Sequence, residues 1–155
     1  MNRKNENEKL ELVRIQLIPD RIIFREEPVK TSEDVADIAI EQLSKYDREV
    51  FAVLNLDSKG HVVNMNEVSV GDISCTVTHP REVFKSAVLS NAASIIAIHN
   101  HPSGDPTPSK EDLEATRRLK NAGDILGIPL LDHVIVGSIT GKKYSMKANE
   151  DMFWE

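Results

Sequence analysis

Ala93-Ser94-Ile95-Ile96-Ala97-Ile98-His99-Asn100-His101-Pro102-Ser103-Gly104-Asp105-Pro106-Thr107-Pro108-Ser109-Lys110-Glu111-Asp112 is the stretch on which the reading of this chain turns. The apolar run over 93–98 has the length of a buried strand and is far too short to span a bilayer. It leads directly into His99. Residues two apart on a strand project from the same face, so His99 and His101 aim their imidazoles at one point. Pro102 stops the strand, and a loop rich in Pro, Gly and Ser covers 102–108. A helix is expected from about 110 to 122, closing at Gly123. Its first turn carries Asp112, within reach as an oxygen ligand.

Two imidazoles and a carboxylate form a usual catalytic donor set for Zn²⁺, because a fourth position stays open for water. Zinc there can lower the pKa of water to about 7 and supply a nucleophile at neutral pH. The same residues have plainer readings. His-x-His arises by chance as a surface pair, and Ser109-x-x-Asp112 is also a helix capping box. Single features decide little; their junction at a strand-to-helix crossing favours a metal site.

Outward from this junction the pattern is that of an α+β domain with α-β-α layers, a mixed sheet and about three flanking helices. Residues 1–9 are polar and charged and read as a disordered tail, with one domain over 10–155. Leu10-Glu11-Leu12-Val13-Arg14-Ile15-Gln16-Leu17 alternates like a strand. Thr31 or Ser32 caps a helix over about 33–45, on which Val35, Ile38, Ile40 and Leu43 recur at helical spacing. Val50–Leu56 reads as a buried strand, Asp57-Ser58-Lys59-Gly60 as a hairpin turn, and His61 through Val68 as the returning strand. A short strand over 73–78 follows. Pro80 opens a helix over about 80–91 with Val83, Phe84, Ala87 and Val88 inward. Leu130–Val136 is a further strand, and 143–146 a short edge strand. There is no internal repeat or low-complexity tract.

Composition narrows the function classes. The 155 residues carry 19 Lys and Arg against 25 Asp and Glu, a net charge of -6. Binding to nucleic acid rests on cations neutralising phosphates, so the charge does not favour it. Arg117, Arg118 and Lys120 are expected near a helix end, where basic residues complement the dipole. A single cysteine, Cys75, excludes a disulfide framework and any multi-thiolate zinc site. It reads as a small buried apolar residue. The amino terminus has no secretory stretch and no segment spans a membrane, so a cytoplasmic protein is expected.

The stretch resembles the JAMM motif of the JAB/MPN metalloprotease superfamily: His-x-His, seven residues, Ser, two residues, Asp, matched by His101, Ser109 and Asp112. Asp47-Arg48-Glu49-Val50-Phe51, His79-Pro80-Arg81-Glu82-Val83-Phe84, His99 to Ser109 and Leu131-Asp132-His133 resemble the RadC branch of that superfamily. The likeness covers about residues 30–148. It implies a JAB/MPN-like, cytidine-deaminase-like fold and a zinc metallopeptidase or isopeptidase acting on a protein or peptide substrate. It also implies His99, His101 and Asp112 as zinc ligands, and Ser109 as the serine that stabilises the developing oxyanion. The glutamate that serves as general acid and base falls on Glu49, with Glu67, also upstream and on a strand, as the competing position. Between the histidines many superfamily members have Ser or Thr; Asn100 here is RadC-like. Longer RadC proteins carry an N-terminal helix-hairpin-helix region for which this chain has no room. The DNA-repair label of the family is therefore treated as a name. The alternatives are a non-catalytic JAB-type interaction module and a DNA-repair-associated factor. Oligomeric state is not legible.

Among the remaining residues, His133 reads as a core histidine or as an outer partner of a metal-bound imidazole, with Asp132 as a possible carboxylate partner for such a ring. His61 beside the hairpin turn reads as solvated, and His79 as a cap or packing residue. Ser103 and Asp105 fit either substrate contact or loop structure.

Overall fold

Burial along almost the whole length of two neighbouring strands sets the architecture. In a computed structural model, which describes residues 12–22, 27–71 and 78–149, β1 (Val50–Leu56) is buried at every position and β3 (Ser94–His101) at all but its last. Continuous burial requires cover on both faces. The sheet runs β2-β1-β3-β4-β5, with β2 (Val62–Val70), β4 (Leu130–Gly137) and β5 (Lys143–Ser145) outside the two central strands or beside them. Only β3 and β4 are parallel; the other neighbours are antiparallel.

Alternation sorts the strand residues onto two cores. Ala52, Leu54, Leu56, Ile96, Ile98, Val134 and Val136 pack with Val35, Ala39 and Leu43 of α1 (Ser32–Leu43). Phe51, Val53, Ile95 and Ala97 face the other way, onto Val83, Phe84 and Ala87 of α2 (Pro80–Leu89) and Leu119 of α3 (Lys110–Leu126). The result is the expected α-β-α layering. His99 and His101 share the odd-numbered face, the side on which α3 lies.

The helices begin where their chemistry provides for it. Thr31 caps α1 in a capping box with Asp34, and His79 Nδ1 accepts from Arg81 N–H ahead of Pro80. Ser109 and Asp112 form a second capping box at α3.

Several expectations change. The expected strand over 10–17 does not form at residues 12–17, where Leu12, Val13 and Ile15 stay exposed; alternation without a partner strand leaves backbone groups to water. Residues 1–9, Cys75 and residues 73–77 of the strand expected over 73–78 lie outside the described residues, and Thr78 is not in a strand. Val88 is half exposed, on the outer side of α2.

Helix α3 does not close at Gly123 but continues to Leu126, with Gly127 as its left-handed cap at φ 70°. Its last turn carries exposed Ile125 and Leu126 and so shows no amphipathic signal. Gly123 serves packing: a Cβ there would lie 2.6 Å from the Ile128 carbonyl oxygen. Arg117, Arg118 and Lys120 consequently sit mid-helix, and no basic residue stands in the last turn. No helix among the described residues is long and apolar enough to cross a membrane.

Candidate metal centre

The β3–α3–β4 crossover places the amino end of α3 against the carboxyl end of β3, the usual ligand position of a parallel strand pair. There His99, His101 and Asp112 come together, one ligand atom from each lying within 4.8 Å of the others. His99 Nε2 and His101 Nε2 are 2.9 Å apart. Asp112 Oδ1 is 3.4 Å from His99 Nε2, and Oδ2 is 3.6 Å from His101 Nε2. Ligands of one tetrahedral ion at metal–ligand distances of about 2.0–2.1 Å stand about 3.3 Å apart, close to the spacing of the two imidazole nitrogens from each other and from the Asp112 carboxylate oxygens.

Hydrogen-bond directions agree with that fit. His101 Nδ1 lies 2.7 Å from the Asp105 carbonyl oxygen, which only accepts, so Nδ1 carries hydrogen and Nε2 is the nitrogen turned to the cluster. Asp112 is aimed by its own helix cap. The N–H and the hydroxyl of Ser109 both donate to Asp112 Oδ2, at 2.7 and 2.6 Å. The other oxygen, Oδ1, is left for the cluster. The capping box and the ligand geometry are thus one arrangement.

Electrostatics follow from burial and neighbours. Burial holds His99 well below the ordinary histidine value, aided by His133 and His101 and opposed by Asp112. For His101 burial acts downward but loses to the Asp112 carboxylate, the Asp105 carbonyl and the charge of Glu49, and the net direction is upward. Burial likewise raises Asp112, yet His101, the charge of His99 and the Ser109 donors outweigh it and hold the carboxyl ionised. An anionic oxygen and two imidazole nitrogens are a complete donor set for a divalent ion with one position open.

The two glutamates separate. Glu49 stands one residue before β1, and its charge is felt at His101. Glu67 lies on β2 opposite Ala52; Tyr46 Oη donates to its carboxylate and Arg21 pairs with it at 3.0 Å. These partners lie outside the cluster.

Asn100 contributes in a way its position between two histidines did not announce. Strands β1 and β3 stay paired as far as Phe51 opposite His99. One residue on, the Val50 N–H donates to the Asn100 side chain at 2.8 Å, while Asn100 Nδ2 donates to the Arg48 carbonyl and to Ser138 Oγ at 3.1 and 3.0 Å. The fully buried amide therefore spans the fork between the strands and grips the backbone on both sides of Glu49.

Behind the cluster, His133 Nε2 lies 2.7 Å from His99 Nδ1, and His133 Nδ1 lies 2.6 Å from Thr116 Oγ1. Phe51 packs on both rings, stacked on His99 at 6.0 Å and edge-on to His133 at 5.4 Å. His133 is thus a partner of a proposed ligand; burial holds it down to about 4. Asp132 is not such a partner: it accepts from the His133 and Lys147 N–H groups and from Ser145 Oγ, tying β4 to β5. Thr116 went unremarked in the sequence, although it follows Asp112 by four residues and so shares its helix face.

The loop between the histidines and α3 is fixed from below. Gly104 takes φ 87°, and its carbonyl accepts from Thr140 Oγ1 at 2.6 Å. Gly137 permits the close approach, since a Cβ there would overlap Gly104. Within the loop, Asp105 accepts from Thr107 through its side chain, and Ser103 Oγ accepts from the Asp105 N–H. His61 is half exposed and paired with Asp57.

Comparison with known proteins gives the family. The family model for the RadC-like JAB domain matches residues 29–152. A UPF0758 protein of Syntrophomonas wolfei is 55% identical over 112 residues, covering 72% of this chain and 48% of the relative. Its counterpart in Desulfitobacterium hafniense is 49% identical over 109 residues, 70% of this chain and 48% of the relative. One in Caldanaerobacter subterraneus is 47% identical over 119 residues, 77% and 50%. The chain spans about half the length of these curated relatives.

Proposed function

The chain belongs to the RadC-like JAB domain family, and from that membership we propose that it is a zinc-dependent hydrolase of peptide or isopeptide bonds. The observation that carries the reading is the convergence of His99, His101 and Asp112 at the carboxyl end of β3. Among the described residues no member of the donor set is missing, which favours an enzyme over an interaction module that has lost its ligands.

His99, His101 and Asp112 would hold the ion. Bound there, zinc supplies Lewis acidity, polarising a carbonyl and bringing the pKa of water down to about 7. Glu49 takes a proton from the attacking water as the new C–O bond forms, and delivers it to the amine nitrogen as the tetrahedral adduct collapses and the amide C–N bond breaks. The influence of Glu49 on His101 supports this choice over Glu67, which is held by Tyr46 and Arg21. The Ser109 hydroxyl, which donates to Asp112 Oδ2, turns its hydrogen to the charge growing on the carbonyl oxygen. The Ser109 N–H keeps hold of Asp112 during that turn. Removal of one such donor costs about 3 kcal/mol of transition-state stabilisation in other enzymes.

The test is hydrolysis of peptide and ubiquitin-like conjugates with a chelator control, in the parent protein and in Glu49→Gln. A cleaved substrate whose turnover stops with chelator and with Glu49→Gln, while zinc remains bound to the variant, is the expected result. Full activity in Glu49→Gln together with its loss in Glu67→Gln would move the base to Glu67.

A further inference from the structure

We propose that Thr116 and His133 are positioning residues that fix the hydrogen of His99 on Nδ1 and thereby present its Nε2 lone pair to the metal. In its metal-directed part this rests on the zinc reading above; the direction of the hydrogen bonds does not.

The Asp112 carbonyl oxygen can only accept, and Thr116 Oγ1 lies 2.7 Å from it, so the single hydroxyl hydrogen of Thr116 is committed there. Met146 Sδ, at 3.2 Å, is the weaker acceptor nearby. Toward His133, Thr116 is left with a lone pair, so His133 Nδ1 at 2.6 Å must be the donor. A second hydrogen on that ring would place a cation at a site with no solvent exposure, and the loss of hydration there disfavours it. His133 Nε2 therefore accepts, and the hydrogen between the two imidazoles belongs to His99 Nδ1. His99 Nε2 is left bare, facing His101 Nε2 and Asp112 Oδ1.

The relay starts at the Asp112 carbonyl and returns to the Asp112 carboxylate. It ties β3, β4 and the first turns of α3 into one ring of contacts. A metal-bound imidazole usually donates its far N–H to a carboxylate or carbonyl. Here a neutral imidazole takes that place, and the threonine behind it decides which of its nitrogens accepts. Phe51 against both rings keeps water from substituting for either partner.

Two measurements test it. In metal-stripped protein, long-range ¹H–¹⁵N correlation reads each imidazole tautomer directly; hydrogen on Nδ1 of both His99 and His133 is expected, and hydrogen on Nε2 of either overturns the proposal. Zinc affinity by chelator competition is then compared in Thr116→Val, which keeps the shape, and Thr116→Ser, which keeps the hydroxyl. Thr116→Val is expected to bind about 10–100-fold more weakly, with Thr116→Ser within about threefold of the parent. Equal affinity in Thr116→Val, with only a lower melting temperature, would make the relay mere core packing. If Thr116→Val does not fold, the tautomers of the parent protein decide. A parent protein that takes no zinc defeats the proposed function, while the spectra still decide the relay.

Discussion

Ser109 shows how one residue is asked to do two things. Its hydroxyl accepts from the Asp112 N–H as a helix cap and donates to the Asp112 carboxylate as a brace. Ser109→Ala should cost about 1 kcal/mol of stability by denaturant unfolding, the usual worth of a cap. It should keep zinc, because the Ser109 N–H still holds Oδ2. Loss of zinc from Ser109→Ala would show that the hydroxyl, not the backbone, aims the ligand. Asn100 is the second such residue. Asn100→Ala leaves the Val50 N–H and the Arg48 carbonyl without their buried partner, which should cost about 1–3 kcal/mol. Zinc content should stay unchanged, since the amide touches none of the three donors, while any hydrolysis that depends on Glu49 should fall. A stable, fully active Asn100→Ala would remove the amide from the positioning of Glu49. That His99, His101 and Asp112 come together was legible because side-chain chemistry and strand period coincide at His99 and His101. Asn100 and Thr116 were not, because their value lies in partners distant in the chain: Arg48, Val50 and Ser138 for one, His133 for the other.

At the scale of elements, the apolar runs were read correctly wherever a strand is covered on both sides, as in Val50–Leu56 and Ser94–His101. Errors came where a local signal has two physical causes. Alternation at 12–17 looks like a strand but lacks a partner. Gly123 looks like a helix stop but marks a close approach between α3 and the segment leading into β4. Two substitutions check the roles of the two glycines. Gly123→Ala improves helix propensity by about 1 kcal/mol, yet it drives a Cβ to 2.6 Å from the Ile128 carbonyl oxygen. Overpacking against backbone costs about 1–3 kcal/mol, so net destabilisation is expected. At Gly127, with φ 70° and open space around the Cβ position, alanine should cost only the left-handed strain of about 1–2 kcal/mol. Urea unfolding of both variants checks this; a stabilised Gly123→Ala would contradict the close approach to the Ile128 carbonyl.

For the whole molecule, the proposed ligands come from β3 and from the start of α3, elements that meet only in the folded chain. An ion that binds the native state and not the unfolded one must stabilise it, by about 2.7 kcal/mol at a free concentration one hundred times the dissociation constant. The melting temperature should therefore rise with zinc in the parent protein and stay put in His99→Ala. The most direct measurement is anomalous diffraction at the zinc edge from crystals grown with the ion. A single strong peak about 2.0–2.1 Å from His99 Nε2, His101 Nε2 and an Asp112 oxygen is the predicted result. Fully zinc-loaded crystals with no peak among those three atoms would contradict it.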